Sequence, residues 1–146
     1  MTEERREGDR KPTSSYRELL VWQRAHEFVL SVYRFSETFP RHEIFGLRSQ
    51  IRRAAMSVPS NIAEGYKRRG KRDKAHYLNM AQASLEETSY QLILARDLGY
   101  GEIEEIWEKY EDVSKLLNRY ESSIRSRLVA WLPPLFSLLP FFHSFK

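Results

Sequence analysis

The stretch I-E-E-I-W-E-K-Y-E-D-V-S-K-L-L-N-R-Y-E-S-S-I, residues 103–124, decides the fold of this chain. Its apolar and aromatic residues recur at alternating spacings of three and four, which places them on one face of an α-helix. A seven-residue repeat of this kind favours near-parallel helix packing at about 20°. The segment therefore predicts a long helix that contributes one stripe to a helical core. The stripe consists of Ile103, Ile106, Tyr110, Val113, Leu117, Tyr120 and Ile124.

Three earlier segments carry the same repeat, and no segment shows the alternation typical of a β-strand. The links between the four segments, at residues 39–42, 65–70 and 99–101, are short, and short links make neighbouring helices antiparallel. We therefore expect an all-α protein, an antiparallel up-down-up-down four-helix bundle over residues 16–127, with helices of roughly 20–27 residues or 30–40 Å. The earlier stripes are Val21, Ala25, Phe28, Val32, Phe35 and Phe39; Ile44, Leu47, Ile51, Ala54, Val58 and Ile62; and Leu78, Ala81, Leu85, Thr88, Leu92 and Ala95.

The two ends of the 146-residue chain differ from this pattern. Residues 1–15 are charged and have no apolar core, so we expect disorder there and no signal peptide. Residues 128–146 are apolar but contain prolines, which argues against a membrane-spanning helix. This tail packs on a neighbouring subunit, lies loosely on the surface, or has no role. The absence of cysteine is typical of a reducing compartment, and we expect a cytoplasmic protein.

A proline interrupts the second helical segment, in S-V-P-S-N-I-A-E-G at residues 57–65. A proline inside a helix costs about 3 kcal/mol, and we expect a helix kink at Pro59. Asn61 and Glu64 have the spacing of a capping box, which predicts that a final turn restarts after the kink. Either the kink lets the helix follow the curvature of the bundle, or it places these two side chains at a fixed polar site. We expect Asn61, Glu64 and Glu87 to form a structural polar network.

Charge is distributed unevenly along the chain. Residues 41–74 contain ten basic and three acidic residues, and residues 86–112 contain two basic and nine acidic residues. A positive surface attracts a polyanion, and lysine and arginine bind phosphates largely without regard to sequence. A solvated charged face is the alternative. Tyr66 and Tyr77 flank the basic run and either stack on exposed bases or pack on the protein. The candidate nucleic-acid-binding residues are Arg48, Arg52, Arg53, Lys67, Arg68, Arg69, Lys71, Arg72 and Lys74.

The sequence contains no pattern typical of catalysis or metal binding. A di-iron bundle needs Glu-x-x-His on two helices, and the nearest match is the single pair Asp73 and His76. Neither Gly65 nor Gly70 precedes the Lys-Ser/Thr of a phosphate-binding loop. We therefore expect no enzymatic activity, no cofactor and no metal site.

Two tryptophans, Trp22 and Trp107, lie beside the stripes and not on them. Wide apolar flanks of this kind indicate either a second contact surface, such as a subunit interface, or a broad core face.

The runs at residues 20–26, 46–55 and 57–66 resemble the bacterial four-helix-bundle family of 23S rRNA intervening-sequence proteins. The resemblance covers about residues 16–125, and the run S-V-P-S-N-I-A-E-G is its most specific part. One departure is Ala83, where the family often has glycine. Further matching positions are Tyr77, Leu78, Ala81, Ser84, Leu85, Glu87, Gln91, Leu92, Leu98, Gly99 and Tyr100.

The resemblance implies a bundle that assembles into a homo-oligomeric ring, a pentamer, and it does not imply an enzyme. A protein related to this family, the accessory variability protein of diversity-generating retroelements, is a basic ring-shaped pentamer that binds nucleic acid and its reverse transcriptase. We therefore expect an oligomer that binds RNA or DNA through its basic surface. The alternative is a protein adaptor that docks an acidic partner such as a reverse transcriptase-like enzyme. A structural oligomer without a ligand is a third possibility.

Overall fold

The computed structural model describes residues 12–129. Within that range it contains four α-helices, two short 3-10 helices and no β-strand, which confirms the all-α class. The predictions for residues 1–11 and for the tail from residue 130 concern positions outside the described residues. No helix of the described part combines the length and apolar character needed to cross a bilayer. The α-helices are α1 (Leu20–Glu37), α2 (Leu47–Lys67), α3 (Lys71–Asp97) and α4 (Glu104–Val129), and the 3-10 helices are Tyr16–Glu18 and Arg41–Glu43.

Each α-helix packs against two others. Helix α1 contacts α2 and α4, and α3 contacts the same two helices, with the α2–α3 contact being the most extensive. The predicted stripes supply the core, and every member of the α3 stripe is buried. The stripe residues are less completely buried near residues 35–47, where Phe35 and Leu47 are half-buried and Ile44 is exposed. Among the largest fully buried side chains are Phe28, Ile51, Ile62, Leu78, Leu85, Leu92 and Leu117.

Gly65 lies inside α2, although the sequence placed it in the link to α3. A Cβ atom at this position would lie 3.1 Å from Cβ of Tyr77 and 3.4 Å from the Lys74 carbonyl oxygen. The missing side chain therefore lets the last turns of α2 approach the backbone of α3 closely. The remaining link is only three residues long, 68–70.

Helix α2 continues through Pro59, so the prediction of a restarted final turn is wrong. Neighbouring side chains supply hydrogen bonds to carbonyls near the lost backbone donor. Ser60 Oγ donates to the Met56 carbonyl at 2.8 Å, and Asn61 Nδ2 donates to the Ser57 carbonyl at 2.8 Å. Asn61 thus bonds backward along the helix and does not form a capping box with Glu64. A change of helix direction at Pro59 stays a prediction.

The start of α2 is tied to the link between α3 and α4. Glu43 Oε2 accepts a hydrogen bond from the Leu47 N–H at 2.7 Å, and Glu43 Oε1 accepts one from the Tyr100 hydroxyl at 3.0 Å. The Leu47 N–H first, and then Tyr100, hold the pKa of Glu43 below its usual value. The link itself turns on Gly99 and Gly101, both with positive φ. These contacts fix one end of the molecule.

Part of the segment predicted to be disordered, residues 12–15, makes specific contacts. Ser15 caps the first 3-10 helix by accepting a hydrogen bond from the Arg17 N–H. The Tyr66 hydroxyl donates to the Thr13 carbonyl at 2.6 Å. The chain before α1 therefore lies against the end of α2 that leads into the basic run.

Candidate nucleic-acid interface

Arg48 and Arg52, two of the nine predicted binding residues, hold helix α1. Arg52 donates from Nε to the Ser36 hydroxyl at 2.8 Å and from Nη2 to the Tyr33 carbonyl at 3.2 Å. Its guanidinium carbon lies 4.5 Å from the centroid of the Tyr33 ring. Nη2 of Arg48 and Nη2 of Arg52 also lie 2.7 and 2.8 Å from Oε2 of Glu37. These donors are engaged within the protein, and we leave both arginines out of the candidate surface.

The α1–α2 clamp, formed by Arg48, Arg52 and Glu37, is electrostatically favourable. The hydrogen bond from Arg52, followed by the charge of Arg48, lowers the pKa of the Glu37 carboxyl from its usual value. Both arginine side chains are about four-fifths buried, at 21% and 19% exposure. The clamp therefore joins two helices, and its arginines are not available to bind a polyanion.

Lys74 and Arg68 also have partners within the protein. Lys74 Nζ donates to the carbonyls of Tyr66 at 2.7 Å and Gly65 at 3.3 Å, so it caps the end of α2, and burial lowers its pKa. Arg68 Nη2 donates to the Tyr77 hydroxyl at 2.7 Å, and its guanidinium carbon lies 4.6 Å from the centroid of that ring. Each tyrosine considered for base stacking therefore carries a basic side chain near its ring.

The remaining predicted residues divide by exposure. Lys67, Arg69 and Arg72 are exposed around the turn between α2 and α3, and they have no hydrogen-bonding or ion-pair partner among residues 12–126. We call these three side chains the turn patch. Lys71 is half-buried and has an interaction partner. Arg53 is exposed but lies fourteen residues before Lys67, roughly 21 Å away along the helix.

The predicted polar network does not form as one unit. Asn61 bonds to Ser57, whose hydroxyl accepts a hydrogen bond from Ser84 of α3 at 3.0 Å. Glu64 accepts from Arg68 at 3.4 Å, and Glu87 accepts from Gln91 at the same distance. The buried α2–α3 contact is thus made by Asn61 and two serines, while Glu64 and Glu87 are exposed and have local partners.

A groove of about 460 Å³ lies beside the turn patch. The rings of Tyr16 and Trp22 line it together with residues of α2. Trp22 is held in place by a stacked contact with His26 at 5.3 Å and an edge contact with Tyr16 at 5.2 Å. The α2 residues that line the groove are Pro59, Ser60, Ala63, Glu64 and Lys67.

This groove does not follow from the sequence pattern because its lining comes from segments about forty residues apart. The available signal was the small side chains of Ser60 and Ala63 on α2, which leave room beside a large ring. Trp22 and Trp107, noted for their position beside the stripes, both pack against the core while half-buried. This supports the broad-core interpretation within one chain, and a role for either ring at a subunit interface stays a prediction.

A family model described as 23S rRNA-intervening sequence protein matches residues 17–119. The chain belongs to this family. The resemblance noted from its motifs is thereby confirmed over most of the helical region. No curated protein matches the chain significantly.

A solved structure also resembles this member of the 23S rRNA-intervening sequence protein family. It is a crystal structure of a protein of unknown function from the S23 ribosomal protein family of Bacteroides thetaiotaomicron. The TM-score is 0.65 at 24% sequence identity, and the match covers 70% of this chain and 95% of that chain. At this identity the likeness shows the shared fold alone.

Proposed function

We propose that this chain is a non-enzymatic, cytoplasmic bacterial protein that binds RNA or DNA through the turn patch. The observation that carries the proposal is the exposure of Lys67, Arg69 and Arg72 around one short turn, without partners in the described part of the chain. Cations that make no internal contact are available to replace the counterions of a phosphate backbone. Such contacts give affinity without reading sequence.

The position of Arg72 supports the same proposal. It lies in the first turn of α3, where a positive charge opposes the helix dipole at a cost of about 0.3–1 kcal/mol. Lys74, in the same turn, offsets that cost by capping α2, but Arg72 makes no contact that does so. Arg72 therefore does not stabilise the helix, but its charge would stabilise a bound phosphate.

The proposal includes an up-down-up-down arrangement and assembly into a homo-oligomeric ring, with a pentamer as the expected form. The three-residue link at 68–70 and the six-residue link at 98–103 support antiparallel neighbours. Three cations per chain make a weak site by themselves. Repeating the site around a ring raises its avidity without new contacts.

The test is a titration of structured RNA and of duplex DNA across about 50–300 mM salt. Three contacts from one chain predict a log–log slope near −2.7 on duplex DNA, at about −0.9 per contact, and a steeper slope if several chains engage. The double variant Arg69→Glu/Arg72→Glu is expected to lose binding. The matched control is Lys115→Glu/Arg119→Glu, which makes the same charge change at exposed positions of α4. Equal loss in both variants would overturn the assignment to the turn patch.

A protein adaptor is the second candidate, and one observation favours it. The Phe45 side chain is 95% exposed at the opposite end of α2 from the turn patch. An exposed aromatic ring is typical of a protein contact surface. If no nucleic acid binds at the lowest salt, this reading takes precedence, and an acidic protein partner is the next ligand to test.

A further inference from the structure

We infer that the groove beside the turn patch binds one unstacked guanine base of a single-stranded nucleic acid. The inference rests on the proposed function and names the part of the ligand that the groove would read. The groove volume of about 460 Å³ lies within the range of roughly 300–1,000 Å³ that is usual for small-molecule pockets. Its lining provides a flat surface, a hydrogen-bond acceptor and a cation, which a nucleotide requires together.

The flat surface is the indole ring of Trp22, and the Tyr16 ring meets it edge-on at 62° and forms a side wall of the groove. Bases stack on aromatic rings in proteins that bind single strands. Trp22 is preorganised for this because it is stacked on His26 and half-buried against the core. Pro59 and Ala63 line the same groove from α2 and add small apolar surfaces for a planar ligand to contact. A base is the planar group that the neighbouring cations would bring to this place.

Glu64 provides the selectivity. An ionised carboxylate only accepts hydrogen bonds, and it has two oxygens to do so. Guanine presents two neighbouring donors on its Watson–Crick edge, N1–H and N2–H2, with no acceptor between them. Adenine, cytosine and uracil each place an acceptor next to their donor on that edge. The carboxylate therefore matches guanine through two bonds and the other bases through one at most.

Glu64 is free enough to make these bonds. Its contact with Arg68 is long, at 3.4 Å, and the carboxylate is 59% exposed, so the pair contributes little to stability. Arg68 keeps its shorter bond to the Tyr77 hydroxyl when Glu64 turns toward a ligand. Glu64 can thus exchange one weak partner for two base donors.

Lys67 joins the groove to the turn patch. It lines the groove and also belongs to the exposed basic turn. A strand whose phosphates contact Arg69 and Arg72 can therefore place an adjoining base between Trp22 and α2. The patch supplies affinity that does not depend on sequence, and the groove supplies a preference for one base.

The experiment compares single-stranded RNA oligonucleotides of adenine with and without one central guanine. We expect the guanine-containing strand to bind about five- to tenfold more tightly, as for one partly exposed bidentate contact. Glu64→Gln should remove this preference, and Glu102→Gln, an equal charge change at an exposed link residue, should keep it. Ala63→Leu should also remove it by filling the groove, and helix content by circular dichroism checks that this variant folds.

The outcomes separate the inference from the function on which it rests. Equal binding of the two strands with a steep salt dependence overturns the guanine site and leaves nucleic-acid binding intact. Loss of binding to both strands overturns the proposed function. GMP and AMP are titrated in parallel: a preference for GMP supports the site, and the affinity of GMP relative to the oligonucleotide tells whether a free nucleotide or a strand is its ligand.

Discussion

Neighbouring arginines on α2 have different roles because of the direction in which each points. Arg52 lies against α1 and contacts a buried hydroxyl, a carbonyl and an aromatic ring, whereas Arg53 is exposed and has no partner among residues 12–126. Adjacent helical positions differ by about 100°, so one side chain reaches the neighbouring helix and the next faces solvent. Basic residues counted together in the sequence therefore separate into structural and available ones.

This contrast predicts different stabilities for two single substitutions. Arg52→Ala should lower the free energy of unfolding by about 1–3 kcal/mol, because it removes charged hydrogen bonds to Ser36 and to the Tyr33 carbonyl. Arg53→Ala should change it by less than about 0.5 kcal/mol, as is usual for an exposed site. Urea unfolding followed by circular dichroism measures both values. Equal effects of the two substitutions would contradict the assigned role of Arg52.

The clamp also predicts a dependence of stability on pH. The folded protein holds the pKa of Glu37 below its unfolded value of about 4.3, chiefly through the Arg52 hydrogen bond. The stabilisation is therefore present above that pH and is lost as the pH falls through the lower, folded-state pKa. The difference between wild type and Glu37→Gln in urea midpoint should shrink from about pH 6 to pH 3. The control is Glu102→Gln, and a difference that stays constant with pH would argue against the clamp.

At the scale of the helices, the close contact between α2 and α3 depends on Gly65. Alanine would add helix propensity at this position, by about 1 kcal/mol, but its Cβ would meet Cβ of Tyr77 and the Lys74 carbonyl. Both neighbouring atoms are fixed by the backbone of α3 and cannot move like the end of a flexible side chain. Packing therefore outweighs propensity at this glycine.

We expect Gly65→Ala to lower the free energy of unfolding by about 1 kcal/mol, since overpacking costs about 1–3 kcal/mol and propensity returns part of it. The matched control is Gly70→Ala, at the exposed N-cap of α3, where φ is −78° and the nearest atom to a new Cβ is the Asp73 carboxylate at 3.9 Å. Alanine is a poorer N-cap than glycine but restricts the unfolded chain more, so the two effects oppose each other and the control should change stability less than Gly65→Ala does. An increase in stability for Gly65→Ala, measured by denaturant unfolding, would show that the helices separate at little cost.

Prediction from sequence worked where a pattern along one helix determines the outcome. The α3 stripe from Leu78 to Ala95 is buried as expected because helical periodicity alone places it on one face. Prediction from sequence failed where a side chain's contacts depend on atoms of another helix. Arg52 donates a hydrogen bond to the carbonyl of Tyr33, nineteen positions earlier in the chain. The groove forms because Trp22 of α1 and Ala63 of α2 line the same space. Neither of these contacts between helices can be predicted from the residue spacing within one helix.

Over the whole molecule, the turn patch and the exposed ring of Phe45 lie at opposite ends of α2. Phe45 precedes the first residue of the helix and Lys67 is its last, and the helix between them is roughly 30 Å long. Phe45 is nearly fully exposed, and the 41–46 segment around it is held by contacts between Glu43 and Tyr100. A rigidly presented aromatic side chain, far from the turn patch, is suited to a contact with another protein, and a second copy of this chain is the first such partner to test.

We expect light scattering to give a homo-oligomer at micromolar concentration, and Phe45→Asp to reduce its mass toward that of the monomer. The substitution removes no internal contact of the chain, so thermal unfolding of the isolated subunit should change little. Tyr90→Asp serves as the control because this exposed aromatic lies on a different helix, α3. A monomeric wild type would contradict the ring, and an unchanged mass for Phe45→Asp would place the interface elsewhere.

The bond between Thr13 and Tyr66 has a practical consequence for the placement of a fluorescent label. It brings the first described residues to the end of α2 that carries the basic turn. A fluorophore attached beside Thr13 will therefore compete with or report on ligand binding, whereas one attached beside Phe45 will report on assembly.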